Sequence, residues 1–229
     1  MSEIFEKAKI YHQIETERIK NKAEKTNYNP QMDALVPVIA GGQKIMIEVS
    51  KKSEILAAIQ LVNKYKLNAI FSGVSEGWRV ADSLAKHNIP VITGPVLSMP
   101  SRNSDTYDRA YQNASLMKKA GVLVAIRTDQ EENVRNLPFD AGFAAAYGMG
   151  IEAALEAITI NPAKILGVGD KYGSIEKGKV ANLFICDGDP FEMKTRISHL
   201  FIKGWNIPME SRHTLLYDEF LNRSPGISK

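Results

Sequence analysis

The stretch KIMIEVSKKSEILAAIQLVNKYKLNAIFSG, residues 44–73, contains a strand pattern, a helix pattern and a second strand pattern in succession. KIMIEV and NAIFSG are short runs of apolar and β-branched residues, which are typical of strands. Between them, Ile55, Ile59 and Val62 recur at helical spacing and give the helix one apolar face. A helix between two such strands predicts a right-handed βαβ crossover in a parallel sheet.

The same unit repeats downstream. PVITGPV (90–96) and VLVAIRTD (122–129) are further strand patterns, and helix patterns follow them. Their apolar residues stand at consecutive positions, as in strands that are buried on both faces of a parallel sheet. The alternation predicts an α/β fold, and four such units are half of a (β/α)₈ barrel of about 250 residues. A doubly wound open sheet would also accommodate four strands, but no G-x-G-x-x-G or Walker A sequence follows any of them.

Both ends of the chain lie outside this βα rhythm. The first helix is predicted to run to about Lys25. In INPAKILGVGDKYGSIEKGKVANLFICDGDP, residues 160–190, Asn161 is the predicted N-cap of a short helix and Gly167 its left-handed C-terminal residue. The strand patterns ANLFICD (181–187) and ISHLFIKG (197–204) follow and predict a second, small β layer.

Composition limits the classes of function. The chain has 229 residues, of which 44% are hydrophobic, and a net charge of +3. Its basic residues are spread out, which argues against nucleic-acid binding, and no run approaches the roughly 20 apolar residues that span a membrane. Cys186 is the single cysteine, so neither an intrachain disulfide nor a CxxC site is possible. The charged start carries no signal-peptide pattern, which predicts a cytoplasmic protein.

Residues 159–204, TINPAKILGVGDKYGSIEKGKVANLFICDGDPFEMKTRISHLFIKG, resemble the C-terminal signature of the amidohydrolase superfamily, in the branch of the imidazolonepropionases and Xaa-Pro dipeptidases. GWRVADSLAKHNIPVITGPV and ENVRNLPFDAGFAAAYGM are similar to later βα units of that branch. The resemblance implies a partial TIM barrel over residues 1–168, consisting of strands five to eight with their helices. Residues 169–229 would add the C-terminal strands of a small β-sandwich and a tail.

The resemblance also implies a site. Superfamily hydrolases bind one or two divalent metal ions, zinc among them, at the carboxyl ends of the strands. An aspartate after the eighth strand then accepts a proton from the attacking water. Asp129 in AIRTDQ stands at the matching position and is the predicted catalytic residue and a candidate metal ligand. From the residues alone, a cap for the following loop would be the favoured role of Asp129.

The expected histidine ligands are missing from this sequence. The superfamily usually carries them at the ends of the fifth and sixth strands, where this chain has Glu48, Ser50, Ser72 and Gly73. Because carboxylates suit hard cations, Glu48 is a candidate metal ligand alongside Asp129. As a polar residue at a strand end, Glu48 would instead face water. None of the four histidines has ligand spacing to another, so a site without metal is the alternative.

Four residues are predicted substrate contacts: Arg102, Asn133, Arg135 and Asn136. They stand in loops that would open on the carboxyl rim, where barrel enzymes bind their substrates. An arginine at such a place can bind a substrate carboxylate through two hydrogen bonds. The alternative is a hydrogen-bond network that stabilises the loop ENVRNLP.

The resemblance implies a hydrolase that cleaves carbon–nitrogen bonds in a small-molecule substrate, either a cyclic amide or a non-classical peptide. A half barrel leaves strand edges uncovered, so we predict self-association into an oligomer or a partner chain that carries the N-terminal half and its His-x-His motif. One alternative is a catalytically silent relative that acts as a binding or scaffolding subunit. Another is a hydrolase without metal that uses Glu48 and Asp129.

Overall fold

The structure is a computed structural model, which describes residues 2–22 and 28–223. The strands are β1 (Ile45–Val49), β2 (Ala69–Gly73), β3 (Val91–Thr93), β4 (Val124–Ile126), β5 (Leu183–Cys186), β6 (Ile197–Ile202) and β7 (Trp205–Ile207). The α-helices are α1 (Ser2–Lys20), α2 (Pro30–Ile39), α3 (Lys52–Tyr65), α4 (Ala81–Lys86), α5 (Arg109–Lys119), α6 (Leu137–Ala144), α7 (Ile151–Ile158), α8 (Ile160–Leu166) and α9 (Arg212–Asn222). Short 3₁₀ turns cover Gly77–Arg79 and Val134–Asn136. A kinked segment, Ala145–Met149, follows α6 and has non-helical backbone angles at Tyr147 and Gly148.

The first four strands form one parallel sheet in the order β1-β2-β3-β4. The helices α3, α4 and α5 connect successive strands, which confirms the predicted α/β fold with a parallel sheet. In the register of the sheet, Val49 lies beside Gly73, and Gly73 lies beside Thr93. The carboxyl ends of the strands therefore meet along one edge, where side chains from different strands can share a site.

Apolar side chains cover both faces of this sheet. Phe71 and Val91 are fully buried in the main core with the connecting helices. Ile70 and Ala125 lie on the opposite face and pack against Ile165 of α8. Because successive residues of a strand point to opposite faces, the neighbours Ile70 and Phe71 belong to different clusters. This two-sided burial explains the near-continuous apolar runs in the sequence.

The short helix α8 covers the face of the sheet that carries Ile70 and Ala125. Gly167 ends α8 in the left-handed conformation, with φ +78°, as predicted. The prediction that Asn161 caps the helix is wrong, because α8 already begins at Ile160. The Asn161 amide instead donates to the carbonyl of Val124 in β4 at 3.0 Å, so this side chain ties α8 to the sheet. Lys44 holds the other end, since its Nζ lies 2.6 Å from the carbonyl of Ile165.

Two helices precede the sheet. The predicted first helix is present as α1, which ends at Lys20, before the predicted end near Lys25; Lys25 itself lies outside the described residues. The helix α2 is not among the predicted elements. A proline can mark the end of one helix or stand at the first position of the next, and the sequence pattern does not distinguish the two at Pro30. Here Pro30 is the first helical residue, and the Asn29 side chain caps the helix by accepting from the amides of Gln31 and Met32. Over residues 2–22 and 28–223, no helix has the length and apolar composition that crossing a bilayer requires.

The C-terminal strands form a separate antiparallel sheet in the order β5-β6-β7. The predicted second β layer is therefore present, outside the parallel sheet. Several of its apolar side chains remain exposed: Phe184 at 45%, Ile197 at 46% and Trp205 at 77%. A small sheet with exposed aromatic and aliphatic side chains has apolar surface that another element could cover.

Candidate active site

Polar side chains line a cavity of about 210 Å³ at the carboxyl edge of the parallel sheet. Its lining includes Glu48, Ser50, Thr93, Arg109, Arg127 and Asp129. Glu48 stands between Ile47 and Val49, which face the main core, so its side chain points to the other side of β1. In the register of β1 and β2, Glu48 lies beside Ser72. The cavity thus gathers polar groups from the ends of several strands.

Arg127 joins the two carboxylates of the cavity. Its Nη2 atom lies 2.7 Å from Oε1 of Glu48 and 2.9 Å from Oδ1 of Asp129. Its Nη1 atom donates to the other Glu48 oxygen at 3.2 Å and to the hydroxyl of Ser72. One guanidinium therefore binds side chains that come from β1, from β2 and from the segment after β4. We call Glu48, Ser72, Arg127 and Asp129 the Arg127 cluster.

The surroundings of Glu48 also favour the ionised form of its carboxyl group. Partial burial alone would raise the pKa of Glu48, but hydrogen bonds from Arg127 and Ser72, together with the arginine charge, leave that pKa below its ordinary value. Glu48 is therefore a stable carboxylate at neutral pH. As two carboxylates around one guanidinium, the Arg127 cluster carries one negative charge in excess.

Two glycines make room for the Arg127 cluster. At Gly73, with φ +84°, a Cβ atom would stand 2.7 Å from the Glu48 carboxylate. At Gly94, with φ +139°, it would stand only 1.9 Å from the carbonyl oxygen of Arg127. Both backbone angles lie in the region that residues with a side chain rarely adopt. Glycine is therefore required at the ends of β2 and β3, because the neighbouring strands approach so closely.

The backbone turns sharply where Asp129 presents its carboxylate. Asp129 has a positive φ of 58°, a conformation that aspartate tolerates better than most residues. Val74, directly after β2, also has a positive φ of 50°, although its branched side chain is fully buried. For a β-branched residue this conformation is strained. Positive φ angles therefore follow β2 and β4 at the carboxyl edge, and the one at Val74 is strained.

The predicted site residues fall into two groups. Glu48 and Asp129 come together in the Arg127 cluster, although 79 residues separate Glu48 from Arg127. The predicted substrate contact Arg102 does not line the described cavity. Its side chain is half exposed and binds both oxygens of Glu76, with Nη2 at 2.8 Å.

The other three predicted substrate contacts lie further along the rim. Asn133 donates to the side chain of Gln130 within its own loop. Arg135 belongs to the 3₁₀ turn Val134–Asn136. Asn136 lines a separate, largely apolar cavity of about 1050 Å³, together with residues of α6 such as Phe143. The structure therefore does not bring these three residues to the Arg127 cluster.

Glu76 is the most strongly perturbed carboxyl group beside the cavity. It is 2% exposed and lies between Arg102 and the backbone amide of Lys52, which donates at 2.7 Å. The hydrogen bonds from Arg102 outweigh burial and lower the pKa of Glu76 to about 2; the Lys52 amide and the charge of Arg79 contribute further. Glu76 thereby anchors the loop that carries Arg102.

We expect Glu76→Gln to lower the free energy of unfolding by about 2 kcal/mol at pH 7, less than the full pKa shift would imply, because solvent screens the half-exposed Arg102. The folded-state pKa is depressed, so this stability is present above the ordinary pKa near 4.5 and is lost as the pH falls towards about 2. Urea unfolding of both proteins at several pH values measures the difference. The curves should converge at low pH.

Glu219→Gln is the matched control for this prediction. Glu219 forms an exposed ion pair with Arg223 on α9, with both side chains more than half exposed. Such pairs contribute at most about 1 kcal/mol. Equal losses in the two variants, or a difference that persists at low pH, would contradict the anchoring role of Glu76.

Two buried polar residues hold the walls of the cavity. Asn113 of α5 accepts from the amide of Trp78 and donates to the Val74 carbonyl and the Thr93 hydroxyl. Asp140 of α6 is 2% exposed and accepts from two backbone amides of the loop after β3, at 2.8 and 2.9 Å. Burial raises the pKa of Asp140. Neither role is visible in the sequence, because each depends on contacts between distant segments.

Comparison with known proteins identifies the family. The model of the amidohydrolase family matches residues 38–207, which include the parallel sheet and the strands β5, β6 and β7. The chain belongs to the amidohydrolase family. The predicted resemblance is thereby confirmed, and the Arg127 cluster lies at the edge of the sheet of an amidohydrolase.

Individual amidohydrolases are similar over parts of their length. An imidazolonepropionase of Thermoplasma volcanium is 39% identical over 87 residues, which are 37% of this chain and 22% of that protein. One from Picrophilus torridus is 31% identical over 124 residues, or 50% of this chain and 32% of that protein. The crystal structure of an amidohydrolase from Thermotoga maritima is similar with a TM-score of 0.80 and 28% identity, over 90% of this chain and 54% of that chain. The chain thus spans about half or less of each relative.

The amidohydrolase family is generally metal-dependent, and a metal site requires several ligand side chains grouped at one place. Among residues 2–22 and 28–223, no three histidine, cysteine or acidic side chains are grouped so that they could hold a metal ion. Glu48 and Asp129 are the carboxylates of the cavity, and a guanidinium already lies between them. The described residues therefore do not fit a divalent ion at this place.

Arg127 is the site residue that is absent from the sequence-based prediction. A signal for it exists in the sequence, since Arg127 stands two positions before Asp129 and continues β4. Both residues closely follow β4, so both lie at the carboxyl edge of the sheet. The register that brings Glu48 to Arg127 is a property of the assembled sheet, and no local pattern encodes it.

Proposed function

We propose that this chain is a hydrolase that cleaves a carbon–nitrogen bond in a small-molecule substrate. The Arg127 cluster carries this proposal, because it places two carboxylates in a cavity at the carboxyl ends of parallel strands, where α/β enzymes bind their ligands. Membership of the amidohydrolase family supports the same reaction class. The similarity to imidazolonepropionases favours a cyclic amide as substrate, and a non-classical peptide is the second substrate class.

Asp129 is the proposed general base. It is half exposed, it lines the cavity, and Arg127 fixes one of its carboxylate oxygens. In the proposed reaction, Asp129 takes a proton from water while the water oxygen forms a bond to the carbonyl carbon. The carbon–nitrogen bond then breaks, and the proton passes to the leaving nitrogen. Arg102, Asn133, Arg135 and Asn136 remain proposed substrate contacts on the outer rim.

We further propose that β1, β2, β3 and β4 correspond to strands five to eight of a TIM barrel, within residues 1–168. The strands β5, β6 and β7 would then belong to a small β-sandwich formed by residues 169–229. Several features support this arrangement. Among the described residues, no strand pairs with the outer edges of β1 and β4, and Met46, on the same face of β1 as Glu48, is 53% exposed. Exposed aromatic side chains on the antiparallel sheet indicate that another layer covers it.

A second segment would complete such a barrel. Self-association or a partner chain with the N-terminal half would cover the strand edges and supply the remaining walls of the cavity. A divalent ion of the complete site, such as zinc, would take its ligands from that segment, since the Arg127 cluster does not provide them.

A reconstitution assay tests the proposed function. The purified chain is mixed with increasing amounts of a chain that carries the N-terminal half with its His-x-His motif, and hydrolysis of cyclic amides and Xaa-Pro dipeptides is followed chromatographically. We expect hydrolysis that rises with the second chain and saturates at a fixed ratio. A complex that forms at such a ratio but hydrolyses none of these substrates would indicate a catalytically silent subunit instead.

A further inference from the structure

The guanidinium of Arg127 lies where a cation bound by Glu48 and Asp129 would have to lie. Its Nη2 atom is 2.7 Å from one Glu48 oxygen and 2.9 Å from one Asp129 oxygen. Calcium binds carboxylate oxygens at about 2.3–2.6 Å. The two carboxylates would therefore need to move only slightly to take a calcium ion in place of this nitrogen.

Both Nη atoms of Arg127 are already engaged within the Arg127 cluster. An arginine has five N–H groups, and those on the two Nη atoms face both Glu48 oxygens, the Ser72 hydroxyl and Asp129. The remaining N–H, on Nε, is buried and has no hydrogen-bond partner among the described residues. This arrangement suits a fixed counter-charge better than a group that binds substrate.

We infer that Arg127 is a resident cation, which holds Glu48 and Asp129 together and keeps a divalent metal ion away from these two carboxylates. A divalent ion bound by Glu48 and Asp129 would have to occupy the place of the positively charged guanidinium, which would repel it. Without the guanidinium, two neighbouring carboxylates and the Ser72 hydroxyl would remain, and such oxygen ligands attract hard cations. Because Asp129 is the proposed base, and this step rests on the proposed function, Arg127 is its positioning residue.

Titration of the full chain with Mn²⁺ alone, and separately with Ca²⁺ alone, tests this inference by calorimetry. Arg127→Met removes the charge and keeps an unbranched side chain. We expect it to bind one Mn²⁺ at least about tenfold more tightly than the wild-type chain, which corresponds to about 1.4 kcal/mol. Arg127→Lys keeps the positive charge and should show no gain. In the double variant Arg127→Met with Glu48→Gln, the gain should disappear.

Arg223→Met is the matched control, since Arg223, directly after α9, also pairs with a carboxylate but is more than half exposed. It should leave metal binding unchanged. A wild-type chain that binds one Mn²⁺ and loses it on Glu48→Gln would overturn the inference, and this comparison remains valid if Arg127→Met fails to fold. A folded Arg127→Met variant without any gain would overturn it as well. The titration uses no substrate, so its outcome is separate from that of the hydrolysis assay.

Discussion

Asp129→Asn is expected to lower kcat of the reconstituted hydrolase by about 10²–10⁴-fold, the usual contribution of a general base. The amide keeps the size of the side chain but cannot accept the proton of the attacking water. It would also present a neutral group to Arg127, which now bonds the Asp129 carboxylate at 2.9 Å. Because the binding surfaces remain, KM should change much less than kcat. Steady-state kinetics with the best substrate of the panel measures both constants.

Asp218→Asn serves as the control for this loss. Asp218 is an exposed residue of α9, and the substitution makes the same chemical change far along the chain. It should retain the full kcat, while thermal unfolding verifies that both variants are folded. If Asp129→Asn keeps most of the activity, Asp129 is not the base, and Glu48 becomes the carboxylate to test in the same way.

Gly94→Ala is expected to cause the largest loss of stability, about 3 kcal/mol or more, through overpacking and backbone strain together. The new Cβ would stand 1.9 Å from the carbonyl oxygen of Arg127 and 3.0 Å from its carbonyl carbon. These atoms belong to the backbone, so the contact cannot be relieved by a change of rotamer. The same backbone segment forms a hydrogen bond between the neighbouring strands, since the amide of Arg127 donates to the Thr93 carbonyl at 2.9 Å, and the clash would disturb this bond. Urea unfolding at neutral pH measures the loss.

Gly121→Ala separates the two causes. Gly121 also has a positive φ, +94°, but an added Cβ there would meet no atom within 4 Å. Only the backbone strain remains, so we expect a loss of about 1 kcal/mol. If Gly94→Ala costs no more than Gly121→Ala, then β3 and the segment after β4 do not approach as closely as the structure indicates.

The sequence by itself determined the class of the fold. Each strand and each connecting helix has a local pattern of apolar residues, and such a pattern can be recognised without knowing which segment packs against it. Gly167 is a similar case, because a glycine after a short helix predicts the left-handed ending that it adopts. The resemblance over residues 159–204 also depends on sequence alone, and the match of the amidohydrolase family model confirms it.

Local patterns were ambiguous where the same residue type occurs in two different structural roles. A proline can follow the end of one helix or begin the next, and Pro30 does the latter. An asparagine can cap a helix or reach a distant carbonyl, and Asn161 reaches β4. For Asn161 a tertiary contact with β4 selects the outcome, whereas α2 begins with a local cap, because the Asn29 side chain accepts from the amides of Gln31 and Met32.

Only the tertiary structure decided which charges meet. Asp129 and Glu48 could be proposed from their positions at strand ends, but their common partner Arg127 depends on the register of the assembled sheet. The pairing of Glu76 with Arg102 likewise joins two loops that are 26 residues apart. A charge is attracted to whichever opposite charge the fold brings within a few ångströms, and that distance is set by strand register and loop packing rather than by spacing along the chain.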